Sequence, residues 1–281
     1  METPVVFGKS KNLFGIVNSQ ESQEGSTAVV MLTAGMLHHA GSFRFHVLLA
    51  RELEKIGVPS LRFDLSGIGE SLATGLAGCS LNRAAEETTN AMDYLAENYG
   101  VKNFVLFGLC SGADDSWHTA VLDERVTGLV MIDGLGYPTP KSKRNHRMQK
   151  MVRFSKPDYW IAKTRRLLAE KNDPSSTMPL GDDIREFPSQ DVASKQLLGL
   201  LNRGVKILGC YTSGAAAYFN YIEQFAEMFP TVNITGKVTV KLYPHIDHVT
   251  ILQEDRQTLL DNIMAWLTDY ITFSQDVASP A

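Results

Sequence analysis

Short apolar runs alternate with stretches of helical period along most of this chain. Residues 28–32 (Ala-Val-Val-Met-Leu), 103–107 (Asn-Phe-Val-Leu-Phe) and 128–132 (Gly-Leu-Val-Met-Ile) are nearly unbroken by polar side chains. Runs of this kind predict strands covered on both faces, as in a parallel sheet. Residues 59–63, 205–209 and 238–242 are further strand candidates, the first ending at Asp64. Between them, 42–56, 81–99, 113–122, 192–203, 217–229 and 254–270 predict helices. In 81–99 the apolar spacing runs through Ala85, Ala91, Met92 and Leu95. Strand and helix alternating in this way imply βαβ units and a mostly parallel α/β sheet flanked by helices. Residues 138–188 break the rhythm, being helical only in places and rich in Lys and Arg. They predict a lid inserted into a single domain whose core spans about 1–137 and 189–281.

The run at 103–107 leads directly into Gly108-Leu109-Cys110-Ser111-Gly112. A strand, a turn with glycine on both sides and the start of a helix together match a nucleophile elbow. The turn is too tight for a Cβ two residues before or after the nucleophile, so the glycines pick its centre. With Cys110 central the flanks are Gly108 and Gly112; with Ser111 central they would be Leu109 and Ala113, and leucine should clash. The predicted nucleophile is therefore a thiol. A buried cysteine in an ordinary strand-to-helix turn would give the same five residues, so the remaining parts matter.

A thiol nucleophile needs a base, expected on the loop after the last strand. That loop, residues 243–250, holds His245 and His248, with His248 favoured by its Asp-His-x-Thr step into the final helix. The orienting acid is absent where it is usually found. The loop after the penultimate strand reads Tyr-Thr-Ser-Gly-Ala-Ala-Ala over 211–217 and carries no carboxylate, and Glu223 lies too far along. Asp133, at the end of the 128–132 strand, is the expected substitute, with Asp247 or no acid at all as alternatives. A cysteine mechanism tolerates loss of the acid better than a serine one, because thiols ionise far more readily. The oxyanion is expected to meet the backbone N–H of Ser111, at a helix N-terminus, and that of Met36 in the loop after 28–32.

The chain has 281 residues, 44% hydrophobic and 21% charged, with a net charge of −4. This describes an ordinary soluble globule and argues against a general nucleic-acid binder. Three scattered cysteines, Cys79, Cys110 and Cys210, predict reduced thiols in a cytoplasmic setting rather than a disulfide framework. No signal peptide, membrane span, metal cluster or bound cofactor is expected. Asp64-x-x-Gly-x-Gly-x-Ser71 lacks the lysine of a phosphate-binding loop and reads as a structural turn beside the site. Residues 141–166 carry ten Lys or Arg and one acid, a net +9 inside an acidic protein. That run is either a solvated helix face or a surface for an anionic partner: coenzyme A, an acyl carrier protein or an anionic substrate.

With the elbow, the 64–71 turn, the His248 loop and the inserted lid in place, the chain resembles the α/β-hydrolase superfamily over nearly its whole length. Its N-terminal half is most similar to serine aminopeptidase-like, lysophospholipase-type hydrolases, and within them to those associated with bacterial exosortase systems. A cysteine elbow is also a trait of dienelactone hydrolases. The resemblance implies an α/β-hydrolase fold with a lid after strand six, roles for Cys110 and His248, and backbone donors at Met36 and Ser111. It does not carry over the acid, since Ala215 stands near the usual place, nor the substrate. The expected function is acyl transfer through a covalent acyl-enzyme, on an ester or thioester, as a thioesterase or acyltransferase. Tyr159 and Trp160 in the lid are expected to roof an apolar substrate pocket. The competing expectation, from a different class, is a non-catalytic binding scaffold of the same fold.

Overall fold

A computed structural model describes residues 1–19, 26–74, 80–154 and 188–278. Eight strands form one sheet: β1 (Glu2–Phe7), β2 (Leu13–Asn18), β3 (Thr27–Leu32), β4 (Ser60–Phe63), β5 (Asn103–Leu109), β6 (Val126–Ile132), β7 (Lys206–Thr212) and β8 (Val238–Tyr243). Their spatial order is β1-β2-β4-β3-β5-β6-β7-β8. The first two strands are antiparallel to their neighbours, and every pairing from β4 to β8 is parallel. The described helices are α1 (Phe45–Lys55), α2 (Ser80–Tyr99), α3 (Ser111–Leu122), α4 (Pro140–Phe154), α5 (Gln190–Asn202), α6 (Gln224–Met228) and α7 (Gln253–Ala278).

The unbroken apolar runs follow from two separate cores, one on each face of the sheet. Val29 and Met31 of β3, Val105 and Phe107 of β5, and Val130 and Ile132 of β6 pack with α1 and α7. The residues between them in sequence, Ala28, Val30, Leu32, Phe104, Leu106, Leu129 and Met131, face the opposite way, toward α2, α3 and α5. With side chains alternating between two apolar environments, no position in these strands tolerates a charge. Strand order reverses between β3 and β5, so the loops leaving their carboxyl ends diverge. In open α/β sheets such a switch point is where a cleft forms.

The apolar runs left the first 18 residues unassigned, and there β1 and β2 form a hairpin. One expectation needs correcting. Predicted helix 217–229 is helical only over α6. Upstream, a short 3-10 turn, Ser213–Ala215, and an irregular segment take its place. The cause is the fully buried Gln224. Its amide donates to the carbonyls of Tyr218 (2.5 Å) and Tyr137 (3.1 Å) and its Oε1 accepts from Asn220 N–H (3.0 Å), occupying groups that a continuous helix would use. The predicted lid begins as helix α4. Residues 155–187, with Tyr159 and Trp160, lie outside the described residues.

Candidate active site

Cys110 stands where β5 gives way to α3. Its amide donates to Ile132 O of β6 (2.8 Å), the last sheet bond before the chain turns. There Cys110 adopts φ 53°, ψ −120°, a left-handed conformation that costs a non-glycine residue about 1–3 kcal/mol and is held by its surroundings. The flanking glycines have a direct steric cause. A Cβ on Gly108 would come within 2.1 Å of Gly112 O, and one on Gly112 within 2.6 Å of Leu32 O. The thiol is half-buried and stands at the head of α3, where the Ala113 and Asp114 amides donate to the Cys110 carbonyl (2.9 and 3.3 Å).

His248 lies on the 244–250 loop after β8. This loop is tied to the end of β7 by Ser213 N–H donating to Ile246 O (2.9 Å). Its imidazole Nδ1 is 2.6 Å from Asp133 Oδ2, and the ring also bonds the Cys110 thiol. Those bonds, Asp133 first and Cys110 second, outweigh the effect of partial burial and push the imidazole up to about 10. His248 is therefore an imidazolium near neutral pH. His245 is exposed on the same loop, and Asp247 turns its carboxylate onto its own loop, accepting from Val249 N–H (2.9 Å).

Asp133 is fully buried at the end of β6, also at positive φ (50°), a conformation Asp tolerates better than most residues. The loop after β7, empty of carboxylates, serves this one instead. Thr212 N–H donates to Asp133 Oδ1 (2.6 Å), the Thr212 hydroxyl donates to Oδ2, and Tyr218 O–H donates to the Asp133 carbonyl (2.8 Å). Burial holds the Tyr218 phenol well above its ordinary range, so it stays a neutral donor. Gly214 leaves room for the imidazole, since a Cβ there would sit 2.6 Å from His248 Nδ1. Ala215, near the usual place of the acid, points into the apolar core. Thr212 and Tyr218 were not legible as site residues because each matters only through Asp133, 79 and 85 residues away in sequence, and Gly214 only through the approach of the His248 ring.

The loop after β3 folds over the head of α3. Gly35, at φ 53°, donates its amide to Ser111 Oγ (2.6 Å), and Leu37 N–H closes a turn onto Ala34 O (3.0 Å). With the Gly35 amide so used, the Met36 amide is the one this turn can offer to a ligand; the Met36 side chain is 88% exposed. Cys210, the other described cysteine, is fully buried on β7, and burial pushes its thiol up to about 12, the opposite of an activated nucleophile. Among the described residues no group of three His, Cys, Asp or Glu side chains is arranged to hold a metal ion, and no helix is long and apolar enough to cross a membrane.

This sheet order, with a nucleophile-type turn after β5 and a histidine loop after β8, defines the α/β-hydrolase fold. Solved structures of that fold superpose over nearly the full chain. An esterase from Pyrococcus furiosus matches with a TM-score of 0.62 at 13% identity, covering 96% of this chain and 92% of its own. An alpha/beta hydrolase from Penicillium matches at 0.57 and 15% identity, over 97% and 99%. A proline iminopeptidase from Mycobacterium smegmatis matches at 0.56 and 14%, over 98% and 100%. No family model matches the chain, and no curated protein does.

Proposed function

We propose that this protein is a hydrolase or acyltransferase that works through a Cys110 acyl-enzyme on an ester or thioester. The observation that carries the reading is His248, bonded on one side to buried Asp133 at 2.6 Å and on the other to a thiol held on a strained elbow. The esterases and the peptidase of the same fold support hydrolysis as the general chemistry.

The Cys110 thiolate attacks the carbonyl carbon, and the oxyanion that forms is met by the Ser111 and Met36 amides. As the intermediate collapses, the bond to the leaving group breaks and His248 passes it a proton. Having given up that proton, His248 is neutral and able to act as a base. It then takes a proton from water, or from another acceptor, as that oxygen or nitrogen attacks the acyl carbon and frees Cys110. Asp133 keeps Nδ1 protonated and the ring oriented throughout. The residues supply every proton step, so no metal or cofactor enters this scheme. A working thiolate fits a reducing, cytoplasmic setting. Helix α4 carries Lys141, Lys143, Arg144, Arg147, Lys150 and Arg153 and no acidic residue, and it begins seven residues after Asp133. It supports an anionic donor, such as a coenzyme A or carrier-linked thioester, over a neutral one.

The test is intact-mass analysis after incubation with a panel of acyl thioesters. Wild-type and His248→Ala proteins should gain one acyl group, slowly in the variant, and Cys110→Ala none. No adduct from any donor, with sluggish alkylation of Cys110, would favour a binding scaffold built on the same fold.

A further inference from the structure

The glycine-rich turn at 64–71 takes no part in the scheme above, yet it surrounds a fully buried carboxylate that accepts three hydrogen bonds. Asp64 follows the last residue of β4, and its side chain is fully buried. It accepts three hydrogen bonds from two loops. His39 N–H reaches Oδ1 at 2.5 Å, while the His39 ring Nδ1 and Glu70 N–H both reach Oδ2 at 2.9 Å. Ser71 Oγ donates to the Asp64 carbonyl (2.6 Å) and accepts from Phe14 N–H (2.8 Å), so the turn is locked to β2 as well. Gly69 is at φ 53°, and a Cβ there would lie 2.2 Å from Asp64 Oδ2. Burial alone would raise the carboxyl, but the bonds from His39 and Glu70 hold it below the usual carboxylate range.

His39 lies three residues beyond Met36. The loop from 33 to 41 is thus gripped twice: by Ser111 Oγ at Gly35 and by Asp64 at His39. Between the two grips sits the Met36 amide. We propose that Asp64 is a positioning residue which, through His39, fixes the loop that carries the Met36 oxyanion donor. This rests on the acyl-transfer reading for its catalytic consequence, but not for its structural one. An amide aimed at a developing negative charge stabilises it only if it is already in place when the charge forms. A loop free to drift would leave the thiolate reactive and the tetrahedral intermediate unsupported.

The experiment separates those two properties. Iodoacetamide alkylates Cys110 without forming an oxyanion; p-nitrophenyl acetate acylates it through one. In Asp64→Asn, which keeps the shape but turns an amide toward bonded donors, the acylation rate should fall roughly 100-fold while alkylation stays within about twofold of wild type. Amide hydrogen exchange over residues 34–40 should quicken, reporting the loosened loop directly. His39→Ala keeps the backbone bond and should show a smaller loss; His39→Gln, which retains a side-chain donor, should recover part of it. Equal falls in acylation and alkylation would overturn the proposal, placing Asp64 under the fold or the thiol instead. Unchanged exchange over 34–40 would overturn it too. Should the wild-type protein not be acylated at all, the acyl-transfer reading fails, and amide exchange alone decides whether Asp64 holds the loop.

Discussion

Gly214 has no room for a methyl group. A Cβ there would stand 2.6–2.8 Å from three atoms of His248, and its φ is not of the kind that demands glycine, so alanine is permitted by the backbone and refused by the imidazole. Gly214→Ala should therefore lower acylation of Cys110 by about 100-fold or more through a displaced ring. Its Tm should move little, and rate and Tm together check this. Asp133→Asn should also cut turnover, since it turns an amide toward Thr212 and His248 in a fully buried site. Because Asp133 is the largest support of the His248 cation, the imidazole should lose its proton at lower pH in the variant than in wild type, as an NMR titration of the ring would show. At this scale the sequence was most informative where sterics alone decide. The glycines at 108 and 112 located Cys110 because the turn geometry is local. Asp133 could be found as a strand end facing the right loop. Thr212, Tyr218 and His39 were invisible because their partners arrive from 79, 85 and 25 residues away.

Helix α4 is unlike the other described helices in its charge, with six basic residues and no acid. It is anchored beside the site: Thr139 bonds the Tyr221 hydroxyl and Asn145 bonds Asn220 (3.2 Å), on the segment that carries Tyr218. Reversing Lys143, Arg144 and Arg147 to Glu should raise KM for a coenzyme A thioester roughly tenfold at low ionic strength and much less at high salt. KM for a neutral ester should be unaffected, which steady-state kinetics at two salt concentrations would establish. Elements with a strong period, such as α2, were read from the sequence to within a residue or so. The segment before α6 was not. Its Tyr218 turns inward to Asp133, Phe219 stacks on Tyr211 at 3.5 Å, and Gln224 claims the backbone carbonyl a helix would need. Tertiary contacts there override a pattern that is helical by spacing. The bounds of β1 were not legible for a different reason: it lies at the sheet's edge and exposes most of its length, so its apolar signal is weak.

For the molecule as a whole, stability and pH are linked through His248. Its imidazole lies near 6.5 when unfolded and about 10 when folded, so the folded state binds the proton more tightly. The contribution is complete below about pH 6.5 and fades as pH rises through 10. The Tm advantage of wild type over His248→Gln should accordingly shrink between pH 6.5 and 10, as a thermal series would show. Strands β3, β5 and β6 are insensitive to this range, because both of their faces are apolar. Leu106, fully buried in β5, sets a reference: Leu106→Ala should cost about 2–5 kcal/mol at any of these pH values. The overall layout was readable because six of the eight strands alternate with helices and announce themselves by apolar runs.

Cys110 and Asp133 end neighbouring strands, joined by the rung Leu109↔Ile132 and by Cys110 N–H to Ile132 O. An acid carried after β7 would be separated from the nucleophile by one strand more. Here a slip of a single rung between β5 and β6 would break the group, whereas twisting or fraying at β8 moves only the histidine. The spacing between nucleophile and acid is thus fixed as early as those two strands pair. The imidazole is the part that depends on a further strand, since it is carried on the loop after β8 at the far edge of the sheet.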